Sequence, residues 1–331
     1  MNINEIAKLA GVSRATVSRY LNNGYVSDEK KTAIQKVIDE TGYMPSASAQ
    51  TLRNKKTRVI GVIIPKINSD SISRTVAGIN TALSLSGYEM LLACTNNTEK
   101  RELEYLNLFK DNRVDGIILL GTIFTNEHME CLNQLQVPIV ILGQNLNGYS
   151  CVYYNDYDAT KALTKHILES GNEFGYLSAN INDIAVGKNR QDGFISAMND
   201  AGITKSHYHI INCNFTMQSG YDMAKELLSK HKNIDTIICA TDTIAIGAMM
   251  YLRDMNIQVP NDIQIAGLND STMSSVTTPK LTTVHFYYEE SGNEAARILL
   301  ELVDNKDSIK KQIHLNYRLV INESTRQSHN L

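Results

Sequence analysis

The sequence predicts an N-terminal all-α domain followed by a larger α/β body of two lobes built on parallel sheets, and three observations predict it. Hydrophobic period changes near residue 58: apolar side chains recur at helical spacing before it, and short apolar runs alternate with amphipathic stretches after it. Those runs fall into two sets, "VIGVIIP", "EMLLACT", "GIILLG", "PIVILG" and then "FGYLSA", "YHIINCN", "TIICATD", "IQIAGL", as expected of strands buried on both faces of parallel sheets. Charge divides at the same place, with ten Lys/Arg against five Asp/Glu in residues 1–58 and 22 against 30 beyond them. A basic head on an acidic body suits a polyanionic partner for the head alone.

The chain has 331 residues, 43% hydrophobic and 20% charged, enough for two or three domains with a sizeable core. No apolar run is long enough to span a bilayer, and "MNINEIAKLAG" lacks the basic-then-apolar pattern of a signal peptide, so a cytoplasmic location is expected. Five cysteines, odd in number and mostly inside apolar runs, read as reduced core residues. Neither a metal nor a cofactor is expected.

In the head, Ile6, Leu9 and Ala10 of "NEIAKLAG" recur at helical spacing and Gly11 ends the helix. Ser13 is a natural N-cap for a second helix carrying Val17, Tyr20 and Leu21. This is a helix-turn-helix pattern, although a small bundle with a solvated basic face has the same composition. A cap at Ser13 turns the next residues outward, so Arg14 and Ala15 are expected at base edges, with Thr16, Ser18 and Arg19 near bases or phosphates. A third helix starts at Ser27, buries Ile34, Val37 and Ile38, and stops at Gly42. The head domain is placed at residues 1–45.

Residues 46–58 read as a hinge. Pro45 and Ser46 can start and cap a short helix, Ala47, Ser48 and Ala49 permit close backbone approach, and Leu52 is apolar among polar neighbours. A helix this short is marginal alone in water, where about 12 to 15 residues are needed, so folding on DNA is expected; a plain polar linker is the alternative. The body then runs over residues 59–331, its lobes dividing near Val152. "LTTVHF" and "KKQIHLNYRLVIN" return strands late in the chain. Two such lobes place a ligand between them at the carboxyl ends of strands.

These segments together carry a resemblance. "INEIAKLAGVSRATVSRYLNN", "GYMPSASAQTLR", "VDGIILLG" and "TDTIAIGAMMYLRD" resemble the LacI family of bacterial transcriptional repressors over nearly the whole chain. Within it, "IIPKINSDSIS", "DIAVGKNRQDGF" and "CATDTIAIGA" look more like the sucrose operon and trehalose repressors than the lactose repressor. The resemblance implies a helix-turn-helix domain on a periplasmic-binding-protein-like core, a homodimer on double-stranded operator DNA, and control by a sugar or sugar-phosphate. Arg14 and Ala15 match the base-reading pair, and Leu52 matches the leucine that wedges into the minor groove.

The effector set implied in this way comprises Arg190, Asp242, Phe215 and Tyr288, with Gln144, Thr241 and Asn269. Thr241 and Asn269 depart from the lactose-repressor pattern, which has asparagine and aspartate there. Ordinary roles remain open for several: a salt bridge for Arg190, core packing for Phe215 and Tyr288, a helix cap for Asp242, a turn for Asn269. Lys66 follows "VIGVIIP" at a strand's carboxyl end, Ser69 and Ser71 lie near the next helix start, and trehalose repressors carry a basic residue at the corresponding place for a phosphate. A solvated loop lysine is the simpler account of Lys66.

Dimer contacts are expected from helices flanking residues 71–86 and 99–112. The end "INESTRQSHNL" shows no apolar heptad, so no tetramer is expected. A global catabolite regulator with a protein corepressor is the alternative within the family. An enzyme is disfavoured by the absence of Walker, G-x-S-x-G and H-E-x-x-H patterns, and a sugar-transport binding protein by the DNA-reading head.

Overall fold

The computed structural model describes residues 1–22, 24–43, 56–110, 114–305 and 307–326. They form two compact units, Met1–Arg58 and Val59–Leu331.

The head contains α1 (Ile3–Leu9), α2 (Arg14–Tyr20) and α3 (Asp28–Thr41). Asn2 caps α1 in a reciprocal box with Glu5, and the turn that follows passes through Gly11 at φ 63°. Ser13 caps α2, its hydroxyl accepting from Thr16 N at 3.2 Å. Ser27 occupies the cap position of α3 without a side-chain bond, and Gly42 closes α3 in the left-handed conformation. Ile6, Ala7, Val17, Ile34 and Val37 are the buried core. Leu9, expected inside, is exposed. The face that α1 turns inward carries Ile3, Ile6, Ala7 and Ala10, and Leu9 falls beyond its edge.

In the body, β1 (Val59–Ile64), α4 (Asp70–Leu85), β2 (Glu89–Cys94), α5 (Glu99–Lys110), β3 (Gly116–Leu119), α6 (Asn126–Asn133), β4 (Ile139–Leu142) and β5 (Ser150–Tyr154) alternate in the first lobe. The second continues with α7 (Asp156–Leu168), β6 (Phe174–Ser178), a π-helical turn Ile184–Asn189, α8 (Arg190–Asp200), β7 (Tyr208–Asn212), α9 (Met217–Lys230), β8 (Thr236–Cys239), α10 (Asp242–Asp254), β9 (Gln264–Ala266) and β10 (Thr283–Phe286). The chain returns through α11 (Tyr288–Asp304), β11 (Gln312–Leu315) and β12 (Tyr317–Val320).

The first sheet has the order β11-β5-β4-β3-β1-β2 and the second β7-β6-β8-β9, both parallel throughout. β10 and β12 pair antiparallel. Val152 sits in the middle of β5 and pairs with Leu142 and Ile313, so it belongs to the first sheet. The chain therefore leaves the first sheet after Tyr154. The expected late strands also divide, β11 completing the first sheet while β12 joins β10. The chain thus crosses between lobes after β5, after β10 and after β11.

Helix pairs cover the sheets at glycine-mediated crossings. A methyl group on Gly78 of α4 would meet Glu289 O of α11 at 1.9 Å, and one on Gly292 of α11 would meet Thr75 O of α4 at 2.0 Å. The two backbones touch because neither glycine has a side chain. Behind them Ile79, Leu83, Ala295, Ile298 and Leu299 pack on β1, β3 and β4. Cys131, Cys151, Cys213 and Cys239 are buried free thiols and Cys94 is partly exposed. Burial pushes the Cys213 thiol up to about 12. No helix of the described residues is long and apolar enough to cross a membrane.

Candidate functional site

On the head, the cap at Ser13 leaves the outer face of α2 to solvent. Ser13, Arg14, Ala15 and Arg19 are exposed, Thr16 and Ser18 half-exposed, while Val17 points into the core. A short helix presenting Arg14 and Ala15 in its first turn is the arrangement that enters a major groove. Ser46, Ala49 and Leu52 lie outside the described residues.

One cleft of the body lies where both sheets reverse strand order. In the first lobe β1 stands between β2 and β3, and in the second β6 stands between β7 and β8. The loops leaving β1 and β3 must diverge there, which opens a crevice at the strands' carboxyl ends. Lys66 follows β1, Thr122 follows β3, Gln144 follows β4, Asp183 follows β6, Thr241 follows β8 and Asn269 follows β9, and all line one cavity of about 160 Å³.

Of the effector residues expected from sequence, Lys66, Ser69, Ser71, Gln144, Arg190, Phe215, Thr241, Asn269 and Tyr288 line this cavity. Asp242 does not. It is fully buried behind the wall, one carboxylate oxygen accepting from Thr283 Oγ1 at 2.6 Å and the other from Ser271 N at 2.7 Å. Burial raises its carboxyl to about 6 against these bonds. Asn269 and Asp270 adopt φ values of 127° and 47°, a conformation that L side chains resist. The clamp through Ser271, with Thr283 Oγ1 accepting from Asp270 N, holds that loop in place. Asp242 is therefore a positioning residue; Thr241, at the N-cap of α10, is the one that reaches the cavity.

Arg190 is 1% exposed. Its Nε donates to Asp156 at 2.7 Å, and its Nη1 to Ala240 O at 2.6 Å and Asn269 Oδ1 at 3.0 Å. The structural salt bridge and the cleft position are thus both real. Burial raises the Asp156 carboxyl even though the guanidinium opposes that shift. Asn269 Oδ1 also accepts from Tyr288 OH at 2.8 Å, so its carbonyl is committed inward. Tyr288 packs edge-on against Tyr154 at 5.0 Å. Gln144 donates to Thr122 O.

Lys66 is half-buried, with Nζ 5.2 Å from the centroid of Phe215 across the cleft. Desolvation lowers its amine, and no carboxylate among the described residues lies within 4 Å of it. Asp183, missed from sequence, caps the π-helical turn by accepting from Val186 N at 3.0 Å, and burial raises it to about 6. Asp156, Thr75, Asn97, Thr122 and Thr243 were missed as well. The available signal was positional: Asp156 and Thr243 open helices after strands. Asn97 follows Asn96 in a left-handed pair after β2.

Residues 57–322 match the family described as periplasmic binding proteins and sugar binding domain of LacI family, and residues 2–46 match bacterial regulatory proteins, lacI family. The chain belongs to the LacI family. The sucrose operon repressor of Staphylococcus xylosus is 32% identical over 306 residues, covering 92% of this chain and 94% of that protein. A solved complex of the transcriptional regulator CelR with cellobiose shares 25% identity at a TM-score of 0.75, over 98% of this chain and 99% of that one. The lac repressor dimer bound to operator and the anti-inducer ONPF shares 21% identity, with a TM-score of 0.89 over 98% of this chain and 99% of that chain, which shows a common fold. This LacI-family member is a DNA-binding transcriptional repressor with a sugar-binding type of body, and not an enzyme.

In this LacI-family body, α4 also joins the lobes beside the cleft. Thr272 Oγ1 donates to Asp70 Oδ1 at 2.8 Å and Arg74 Nη1 donates to Asp270 O at 3.0 Å. The first turns of one helix thus carry both the cleft serines and an interlobe clasp. A ligand touching Ser69, Ser71 and Asn269 acts on the same two elements that the clasp connects.

Proposed function

We propose that this chain represses a sugar-utilisation operon in the cytoplasm, with sucrose the first candidate and trehalose the second. A disaccharide or disaccharide 6-phosphate in the cleft releases it from DNA. The observation that supports a phosphate is Lys66, a half-buried cation without a carboxylate within 4 Å among the described residues, in a cavity whose lining mixes apolar side chains with hydroxyls, amides, Arg190 and the Asp156 and Asp183 carboxylates. Ser69 stands at the N-cap of α4 without a side-chain cap bond, so the free N–H groups of that helix end favour an anion nearby. The similarity to a protein named sucrose operon repressor supports the sugar assignment.

On the DNA side, Arg14 and Ala15 read base edges, while Ser13, Thr16, Ser18 and Arg19 hold bases and phosphates. Ser46, Ala49 and Leu52 contact the operator as well, with Leu52 at its central step. An operator of two half-sites needs two heads, so the repressor acts as a homodimer. Effector control works through lobe arrangement, because a ligand shifts an equilibrium only by contacts that differ between its states.

Calorimetry of sucrose, trehalose and their 6-phosphates, on the wild type and on Lys66→Ala, tests the effector, with operator release followed in parallel. A charge-assisted bond contributes about 1.5 to 3 kcal/mol, so the phosphate is expected to bind roughly tenfold or more tighter, and Lys66→Ala to abolish that margin. Equal binding of sugar and phosphate, or an unchanged margin in the variant, overturns the phosphate and leaves a free disaccharide.

A further inference from the structure

We infer that each operator half-site carries a guanine read by Arg14, beside a thymine whose 5-methyl group packs against Ala15. This rests on the base-reading role proposed for α2 and names the bases that it selects.

The side chains of α2 narrow the choice by elimination. In the major groove, guanine is read by Arg or Lys, adenine by Asn or Gln, cytosine by a carboxylate acceptor, and thymine by apolar contact with its methyl group. The helix reads "RATVSRY", with no Asp, Glu, Asn or Gln in it. Asn22 follows just beyond, but its Nδ2 donates to Ser18 O, which ties the amide to the helix end. Ser13 and Thr16 join their hydroxyls at 2.9 Å in the cap. An arginine and a methyl group therefore remain as the direct readers, for guanine and thymine.

The winding of the helix turns these two residues outward. At about 100° per residue, Val17, Tyr20 and Leu21 mark the inner side, where they pack in the head's core. Ala15 then falls almost opposite Val17, with Arg14 on the flank between them. A methyl side chain barely extends from the backbone, so Ala15 touches a base only where the helix itself comes close. Ser18, about one turn further on, is small as well, so the middle of the outer face is shallow and permits that approach. The thymine methyl projects into the groove and meets Ala15 there.

Arg14 reaches further. Its side chain is exposed, and no carboxylate among the described residues lies within 4 Å of it. Consecutive residues rise about 1.5 Å along a helix, against about 3.4 Å between base pairs, so a long arginine beside a short alanine reads the adjoining base pair. Arg19 lies in the last turn, where its carbonyl accepts from Gly24 N at 2.8 Å. It is away from the N-terminal residues that reach base edges in this motif.

The test begins with selection of duplexes from a randomised library by the full chain, which should yield a half-site with adjoining G·C and A·T pairs. Fluorescence anisotropy then compares that duplex with copies carrying 7-deazaguanine, which lacks N7, or uracil in place of thymine, which lacks the methyl group. The first change should weaken wild-type binding by about fivefold or more per half-site, and the second by about threefold. Arg14→Ala should lose the response to 7-deazaguanine and keep the response to uracil; Ala15→Gly should do the reverse. Ala15→Ser, a better helix former than glycine, should lose the uracil response too. A selected half-site without those adjoining pairs, wild-type affinity unchanged by either analogue, or variants that keep both responses overturns these assignments and leaves base reading by α2 standing. Equal binding of all duplexes, with nothing selected, overturns base reading and the assignments together.

Discussion

Replacing Arg190 with methionine separates what holds the cleft together from what the cleft binds. The guanidinium and the Asp156 carboxylate are 2% and 1% exposed, joined at 2.7 Å, with Ala240 O and Asn269 also depending on the same side chain. Methionine keeps much of the volume against Phe286, whose ring lies 4.9 Å from the guanidinium carbon. Removing one partner of a buried pair costs about 3 to 5 kcal/mol, because the other charge stays buried. That is a large share of the roughly 5 to 15 kcal/mol that stabilises a domain. Burial already raises Asp156 with Arg190 present, and without it the carboxyl rises further. A folded-state pKa above the unfolded value means that stability is lost as pH climbs, so the variant's deficit should be larger at pH 8 than at pH 5. In Arg190→Met/Asp156→Leu no charge is stranded, and most of the stability should return. Sugar binding should not. Urea denaturation at both pH values gives the first quantity, and calorimetry the second. A single-variant loss below about 1 kcal/mol refutes the buried-pair energetics; wild-type sugar affinity in the double variant refutes a ligand role for Arg190.

Three further outcomes are expected. Burial, reinforced by Glu99, raises the Glu102 carboxyl from 4.5 to about 7; wild type should therefore lose on the order of 3 kcal/mol between those pH values that Glu102→Gln does not lose, and parallel melting curves of the two from pH 4 to 8 would refute it. Gly78→Ala drives a methyl group into Glu289 O and should destabilise by about 1 to 3 kcal/mol, seen as a melting temperature lower by a few degrees; an unchanged melting temperature would mean that α4 and α11 separate freely. Arg14→Ala should cost about 1 to 3 kcal/mol at one base pair per half-site and relax selectivity there; an equal loss on all sequences would make Arg14 a phosphate contact.

Much of the molecule was legible because its signals are local. The strand runs and the Ser13 and Ser27 cap positions follow from propensity and periodicity acting over a few residues. Lys66 was legible for a related reason, because in parallel sheets the residue after a strand lies at the carboxyl end, whereas Gln144, Thr241 and Asn269 came from the family resemblance. Where sequence reasoning failed, the deciding partner was distant. That β5 belongs to the first sheet was decided by β11, some 160 residues later, which pairs with it. Asp242 occupies a strand end like the others, yet Thr283 and Ser271 draw it behind the wall.

By itself, then, the sequence determined a basic helical head, an acidic body of alternating strands and helices, and the set of loops that meet at the cleft. These depend on the order of residues along the chain. Only the tertiary structure decided that Arg190 is shared between Asp156 and the cleft, that Gly78 and Gly292 let two helices touch, and that buried Glu102 stands against His128. Each of these joins side chains far apart in sequence, and burial energetics act on the neighbours a side chain has in space, whatever their separation along the chain.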